Sequence, residues 1–292
     1  MYRRDKTMGL KKALLLLVIM ILSGCRLLFA DNGMSLNVNQ HEEGREGAHV
    51  SDLWIAYGAT KVFGQISMPS CFGKKKVAIV SHGFNGGHSF GQAYFDTLNK
   101  LGYMVYTFDF PCGSIYSRSD NNTMNMSVVD EKNVLKAIVK YFQRRSDVDP
   151  SNIVLIGESQ GGLVSALAAA DMKKEISRLV LIYPALCIPD NWNERYPHVE
   201  DIPDTTKVWN VPLGRRYFEE ARKINVYAEI VRYKGPVLII HGAKDSVVPL
   251  SYSEEAQRRY RKALLHVLPT AGHGFNAEER RDANRLIGEF LR

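Results

Sequence analysis

The chain has 292 residues, of which 45% are hydrophobic and 24% are charged, a composition typical of one large folded domain with a sizeable core. The formal net charge is +7, but residues 1–24 carry five Lys or Arg and one acid, so the remainder carries 33 bases and 30 acids, a net charge of +3. No block of basic residues with interleaved aromatic residues is present, which argues against a nucleic-acid partner.

Residues 1–24 have the pattern of a signal peptide. Five basic residues precede a run of ten apolar residues, Ala13 to Leu22, which is short for a membrane span. The following Ser23-Gly24-Cys25 completes a sequence that resembles a bacterial lipobox. We therefore expect Cys25 to be lipidated, which predicts an exported lipoprotein of the bacterial cell envelope with a membrane as partner. The alternative is cleavage after Ala30, which would give a secreted or periplasmic soluble protein.

Residues 25–50 are polar and contain glycine, and we interpret them as a tether. From residue 51 to 292, apolar strand-like runs alternate with helical segments. The predicted strands lie in KVFGQISMP, KVAIVSHGF, YMVYTFDF, NIVLIGES, RLVLIYPA, GPVLIIHGAKD and LLHVLPTAGHG. Continuous Val/Ile/Leu strands separated by helices predict a mostly parallel sheet covered on both faces, which is a doubly wound α/β domain.

One segment interrupts this alternation. About 50 residues, 186–234, separate the strand-like runs RLVLIYPA and GPVLIIHGAKD and are rich in Trp, Tyr, Pro, Asp and Asn. Because a structureless loop of this length is uncommon in a compact domain, we predict an inserted subdomain above one end of the sheet.

The sequence Gly157-Glu158-Ser159-Gln160-Gly161 fits the nucleophile-elbow pattern G-x-S-x-G between a buried strand and an Ala-rich helix. Glycines are expected at the flanking positions because side chains there would collide in so tight a turn. The turn would lift the Ser159 hydroxyl above the carboxyl ends of the strands. A plain turn serine is the alternative interpretation.

Two partners follow in the chain order of a Ser-acid-His triad. Asp245 follows a strand 86 residues after Ser159, and His273 follows the last strand 28 residues later. A serine hydroxyl needs an imidazole base, and the imidazole needs a carboxylate to orient it. Asp245 as a helix cap and His273 as a surface residue are the alternatives. His82 and His241 also follow strands, but we interpret them as structural or pocket-lining residues.

Two backbone N–H groups are expected to stabilise the oxyanion. One is that of Gln160, the residue after the serine. The other comes from the loop SHGFNGGHS, which follows the strand-like run KVAIV. Phe84 is the preferred donor in this loop and Asn85 is the second choice.

The sequences SHGF, GESQGG, IIHGAKD and AGHGF resemble the α/β-hydrolase superfamily over residues 60–292. The insertion and the pattern G-x-S-Q-G-G are similar to those of bacterial cinnamoyl (feruloyl) esterases, which carry a lid after the sixth strand. This resemblance implies a triad of Ser159, Asp245 and His273 with Phe84 and Gln160 as oxyanion residues. One departure is FDFPCGSIYSRSD, where close relatives tend to have an N-G-H-G-x-S-like turn.

An aromatic acyl group would need a slot with a polar end. We predict walls from Trp192, Tyr196 and Trp209, with Asp190 accepting from a phenolic hydroxyl; lid packing and a turn carboxylate are the alternative roles. We therefore predict a serine esterase that acts on hydroxycinnamate or similar esters. The ester substrate would be a small molecule or would be linked to a polysaccharide. A general carboxylesterase, a lipase-like or peptidase-like hydrolase, and a non-catalytic envelope binding protein are the competing functions.

No cofactor is expected, and no metal site is expected because no His/Cys cluster has metal-ligand spacing. Besides Cys25, the cysteines are Cys71, Cys112 and Cys187, which allow at most one disulfide.

Overall fold

The computed structural model describes residues 49–292, which contain one large sheet and one small one. The ten strands are β1 (His49–Tyr57), β2 (Thr60–Met68), β3 (Lys75–Ser81), β4 (Tyr103–Phe108), β5 (Val148–Glu158), β6 (Arg178–Ile182), β7 (Thr205–Val208), β8 (Val211–Gly214), β9 (Val237–Gly242) and β10 (Ala263–Leu268). The large sheet has the order β1-β2-β4-β3-β5-β6-β9-β10, and β7 pairs with β8. Only the β1–β2 and β2–β4 pairings of the large sheet are antiparallel.

Helices cover both faces of the large sheet. They are α1 (Phe95–Lys100), α2 (Val128–Gln143), α3 (Gln160–Asp171), α4 (Ile188–Arg195), α5 (Arg215–Ala221), α6 (Val226–Ile230), α7 (Leu250–Arg259) and α8 (Ala277–Leu291). Alternate residues of the strands point to opposite faces, so Leu155 joins the apolar cluster under α2 and α3 while Val154 and Ile156 join the cluster under α1 and α8. The predicted doubly wound, mostly parallel α/β fold is confirmed.

The start of α2 shows how local sequence sets an element. Ser127 is the N-cap, and its hydroxyl accepts from the N–H groups of Val129 and Asp130. The buried side chains of this helix recur at a helical period and include Val134, Leu135, Ile138, Val139 and Phe142. The helix thereby presents one apolar face to the sheet and carries its first turn to the carboxyl edge of the strands.

Strand β1 was not predicted. It lies at the edge of the sheet, and Ile55 is its only buried residue, so the apolar signal of a buried strand is absent. Its first two residues, His49 and Val50, fall within the predicted tether. The predicted signal peptide, the lipidation site Cys25 and the rest of the tether lie outside the described residues.

The segment 186–234 contains α4, the β7–β8 hairpin, α5 and α6, together with a 3₁₀ helix at Val199–Asp201. Its α5 contacts the start of α2 through Arg216, whose guanidinium pairs with Asp130 at 2.7 Å. Among residues 49–292, no helix is both long and apolar enough to span a membrane. In the same range Cys71, Cys112 and Cys187 are all free thiols.

Candidate active site

Ser159 lies in a sharp turn between β5 and α3, with φ 51° and ψ −119°. This conformation is rare for a residue with a side chain. The glycines around it allow the close approach of backbone. A Cβ at Gly157 would lie 2.3 Å from the Gly161 carbonyl oxygen, and a Cβ at Gly161 would lie 2.3 Å from that of His82. The steric reason for the glycines in the G-x-S-x-G pattern is therefore confirmed.

The structure brings together the three residues predicted from chain order. The Ser159 hydroxyl oxygen lies 2.9 Å from His273 Nε2, and His273 Nδ1 lies 2.8 Å from Asp245 Oδ2. A carboxylate only accepts hydrogen bonds, so Nδ1 carries the proton and Nε2 presents its lone pair to the serine. Asp245 and His273 follow β9 and β10, whose carboxyl ends lie on the same edge of the sheet as that of β5.

The Asp245 side chain is fully buried and strongly hydrogen-bonded. The N–H groups of Val247 and Val248 donate to its Oδ1 at 2.9 and 2.8 Å, and His241 Nε2 lies 3.2 Å from Oδ2. Burial opposes ionisation, but the hydrogen bonds from His241, His273 and the two N–H groups outweigh it and hold the pKa of Asp245 well below its ordinary value. The carboxyl group is therefore a fixed negative charge behind His273.

The two rival histidines have other contacts. His82 Nε2 accepts from the Phe110 N–H at 3.0 Å, which leaves Nδ1–H to donate to the Gly83 carbonyl at 2.7 Å. Burial lowers the pKa of His82, and both ring nitrogens are occupied. His241 Nε2 faces the Val248 carbonyl and Asp245, while Nδ1 lies 2.7 Å from the Ser253 hydroxyl. Each ring is thus held in a hydrogen-bond network away from the serine hydroxyl.

The loop after β3 passes directly beside the serine. A Cβ at Gly83 would lie 3.0 Å from Ser159 Cβ. The N–H of Asn85, the second choice for an oxyanion donor, is engaged with the Gly113 carbonyl at 3.1 Å. Within residues 49–292, the N–H groups of Phe84 and Gln160 donate to no protein acceptor. These two groups are therefore available to a substrate oxygen.

A cavity of about 140 Å³ opens on one side of Ser159. Its walls are mostly apolar and include Trp192 and Trp209, as predicted. Tyr217 and Asn191 also line it, and the sequence analysis missed both. Trp209 stands at the tip of the β7–β8 hairpin, where it and Asn210 have positive φ values of 48° and 67°. Its ring packs edge-on against Phe84 at 5.6 Å between centroids.

Asp190 and Tyr196, which were also predicted to contact the acyl group, do not line this cavity. Asp190 is two residues from Trp192 on α4, and such positions lie about 200° apart around a helix. Its carboxylate instead accepts from the Tyr252 hydroxyl at 2.8 Å. Tyr196 follows the last turn of α4, where its ring packs against Phe218 at 5.5 Å and its hydroxyl lies 3.2 Å from that of Thr206.

A second cavity, of about 180 Å³, lies on the other side of the serine. Ser159, Phe84 and Trp209 line both cavities, while His273 and Tyr183 line only this one. The Tyr183 ring packs on His273 at 4.8 Å, and its hydroxyl donates to the buried Glu158 carboxyl at 2.6 Å. The Ser159 side chain therefore lies between two cavities. Among residues 49–292 no group of three His, Cys, Asp or Glu side chains is arranged to hold a metal ion.

Comparisons with known proteins identify a family and similar hydrolases. The sequence pattern of the prolyl oligopeptidase family matches residues 88–292. The ferulic-acid-bound structure of Est1E from Butyrivibrio proteoclasticus is 26% identical, with a TM-score of 0.75 over 82% of this chain and 97% of that one. The AB hydrolase superfamily protein YisY of Bacillus subtilis is 22% identical over 75% of this chain and 92% of that protein. The human serine hydrolase BPHL is 23% identical over 48% of this chain, and the match spans about half, 54%, of the human protein.

Proposed function

Because the chain belongs to the prolyl oligopeptidase family and has the α/β-hydrolase fold, we propose that it is a serine ester hydrolase whose catalytic triad is Ser159, His273 and Asp245. The observation that carries the proposal is the unbroken hydrogen-bonded series from the Ser159 hydroxyl through His273 to Asp245, with distances of 2.9 and 2.8 Å. That series is what general-base activation of a serine requires.

In the proposed reaction, the Ser159 oxygen bonds to the ester carbonyl carbon while its proton passes to His273 Nε2. The negative charge on the carbonyl oxygen is stabilised by the N–H groups of Phe84 and Gln160, and the imidazolium by Asp245. The carbon–oxygen bond to the alcohol then breaks, and the alcohol leaves with the proton from His273. A water molecule repeats these steps on the acyl-enzyme, which releases the acid and returns the proton to Ser159.

The proposed acyl group is a hydroxycinnamate or a similar aromatic acid. Three features support this choice. A cavity of about 140 Å³ is close to the roughly 150 Å³ that accommodates a benzene ring in an apolar protein interior. Trp192 and Tyr217 provide aromatic walls, and Asn191 adds an exposed polar group. The similar Butyrivibrio protein was determined with ferulic acid bound.

Initial rates on methyl ferulate, methyl cinnamate, p-nitrophenyl butyrate and p-nitrophenyl acetate would test the proposal. We expect kcat/KM to be highest for methyl ferulate. Turnover of the p-nitrophenyl esters without turnover of either aromatic ester would leave a general carboxylesterase and remove the hydroxycinnamate assignment. Absence of hydrolysis on all four esters would contradict the ester hydrolase itself.

A peptidase is the second candidate, because the matching family is named for an oligopeptidase. The same triad can cleave amides, and the fold does not choose the substrate. An aminoacyl p-nitroanilide assayed beside the esters separates the two activities. A higher kcat/KM for the anilide than for every ester would favour the peptidase.

We also propose that the protein is exported and lipidated at Cys25. The support is the basic and apolar pattern of residues 1–24 followed by Ser-Gly-Cys. Expression of the full chain in a bacterium that processes lipoproteins, followed by detergent phase partitioning, tests this. The wild type should enter the detergent phase and Cys25→Ser should not; equal partitioning of the two proteins would contradict lipidation.

A further inference from the structure

A buried carboxyl group lies near the site without touching the triad. Glu131, in the first turn of α2, is 2% exposed. Among the described residues, no Lys or Arg nitrogen lies within 4.0 Å of it. Burial raises the pKa of Glu131 to about 8; the hydrogen bond from Gln160 opposes this shift, and the nearby Asp130 adds to it. Burying a carboxyl group has a desolvation cost that an apolar side chain at position 131 would not have. The contacts of the carboxyl group should therefore explain why a glutamate occupies this position.

Those contacts are with a single side chain. Both oxygens of Glu131 lie within hydrogen-bond distance of Gln160 Nε2, at 3.0 and 2.9 Å. On the other side of the same amide, Gln160 Oε1 accepts from the Tyr217 hydroxyl at 2.7 Å. Met126 Sδ lies 3.8 Å from Nε2. The Gln160 side chain is therefore held from α2 at one end and from α5 at the other, and its amide orientation follows from these partners.

The backbone of Gln160 is at the centre of the proposed reaction. It follows Ser159 directly at the first position of α3, and its N–H is one of the two groups available to the substrate oxygen. A donor of this kind works only if it already points at the place where the oxyanion forms. A side chain fixed at both ends restrains the peptide that carries this N–H, next to a serine whose own backbone is in a rare conformation.

We infer that Glu131 is a positioning residue: its carboxyl group fixes the Gln160 side chain, which holds the oxyanion N–H in place and keeps Tyr217 in the wall of the acyl cavity. The inference rests on the proposed function. It assigns Glu131 no contact with substrate. The hydrogen bond from the Gln160 N–H to the substrate oxygen strengthens in the transition state. Loss of the anchor, by which we mean the hydrogen bonds between Glu131 and the Gln160 side chain, should therefore lower kcat more than it changes KM.

A double-mutant cycle between Glu131→Met, which removes both acceptor oxygens at similar size, and Gln160→Ala tests the inference, with p-nitrophenyl acetate as a substrate too small to need the cavity wall. Gln160→Ala keeps the backbone N–H and removes only the anchored side chain. Each single variant should lower kcat roughly 10- to 100-fold with KM within about threefold, since small misplacements have effects of this size. The double variant should be no more than about twofold slower than the slower single variant, because the two residues act as one unit.

Asp130→Asn is the matched control. Asp130 is the neighbour of Glu131 on α2 and also contacts α5, through Arg216, but at the exposed surface. Its kcat should stay within about twofold of the wild type, as expected for an exposed ion pair. An equal loss in Asp130→Asn would show that docking of α5 in general, rather than the anchor, sets the rate, and the inference would fail.

The inference would also fail if the loss of kcat in the double variant equalled the product of the losses in the two single variants. If thermal unfolding shows that Glu131→Met does not fold, Gln160→Ala decides alone: an unchanged kcat in that variant removes the role of the Glu131–Gln160 hydrogen bonds. Failure of the proposed function has a different signature. In that case the wild type hydrolyses no ester and Ser159 does not react with a fluorophosphonate, whereas failure of the inference alone leaves both properties intact.

Discussion

The carboxyl edge of the parallel sheet and the inserted segment 186–234 both contribute side chains to the cavity beside Ser159. On the sheet edge, Ser159, Asp245 and His273 are held by backbone turns that directly follow three strands. In the inserted segment, Trp192 and Tyr217 come from two short helices, and Trp209 comes from a hairpin tip. In the proposed reaction the sheet edge determines where bonds form and break, and we expect the inserted segment to determine which acyl group fits.

This difference follows from how each region is anchored. Strand pairing and close glycine contacts fix the sheet edge to within the tolerance that proton transfer requires. The inserted segment is joined to α2 by α5, through an exposed Arg216–Asp130 pair and a buried Tyr217–Gln160–Glu131 series. Substitutions in the two regions should therefore have different effects on ester hydrolysis.

The largest effect is expected on the sheet edge. Ser159→Ala removes the nucleophile, and kcat for every ester should fall by about 10⁴- to 10⁶-fold. The melting temperature should not fall, since the hydroxyl is half-buried and, among residues 49–292, hydrogen-bonds only to His273. Intact mass after fluorophosphonate treatment should show one adduct on the wild type and none on the variant. An adduct on both would place the nucleophile at another serine.

Glu131, at the junction between the two regions, should make the free energy of unfolding depend on pH. The folded protein holds the pKa of Glu131 near 8, above the ordinary value of about 4.3, so the folded state keeps a proton that the unfolded state has lost. Stability from this group is present at about pH 4 and is lost as the pH rises to 8, by on the order of a few kcal/mol. Urea unfolding from pH 5 to 9 should therefore show a steeper loss in wild type than in Glu131→Gln. Parallel curves would mean that the pKa is not raised.

A substitution in the inserted segment should change the selectivity for the acyl group, with a smaller effect than the loss of Ser159. Trp192→Ala removes an aromatic wall, and kcat/KM for methyl ferulate should fall roughly 10- to 100-fold, as for other losses of apolar contact in a pocket. The rate with p-nitrophenyl acetate should remain within about threefold, because acetate does not reach that wall. Asp190→Ala is the control on the opposite face of α4, and it should alter neither rate by more than about twofold. A selective loss in Asp190→Ala would restore the sequence-based prediction.

The two regions also differ in how far the sequence predicted them. The proximity of Ser159, Asp245 and His273 was predictable because strands and chain order are visible in the sequence, and the ends of parallel strands must lie at one edge. The positions of Asp190 and Tyr196 outside the cavity were not predictable, because composition shows that α4 is aromatic and polar but not which side of it faces Ser159. Tyr217 was missed because its contact with Gln160 joins residues 57 positions apart. No local pattern records such a pair.

The Ser159 backbone has a consequence for stability. At φ 51° a side chain is strained by roughly 1–3 kcal/mol, and glycine is not. In the interior of a helix or strand, glycine is less stable than alanine because its unfolded chain has more freedom. Here Ser159→Gly should be at least as stable as Ser159→Ala, although both are inactive. Chemical denaturation of the two variants measures this difference directly. A side chain at position 159, which the proposed reaction requires, therefore lowers the conformational stability of the protein, and we expect Ser159→Gly to unfold at a higher denaturant concentration than Ser159→Ala.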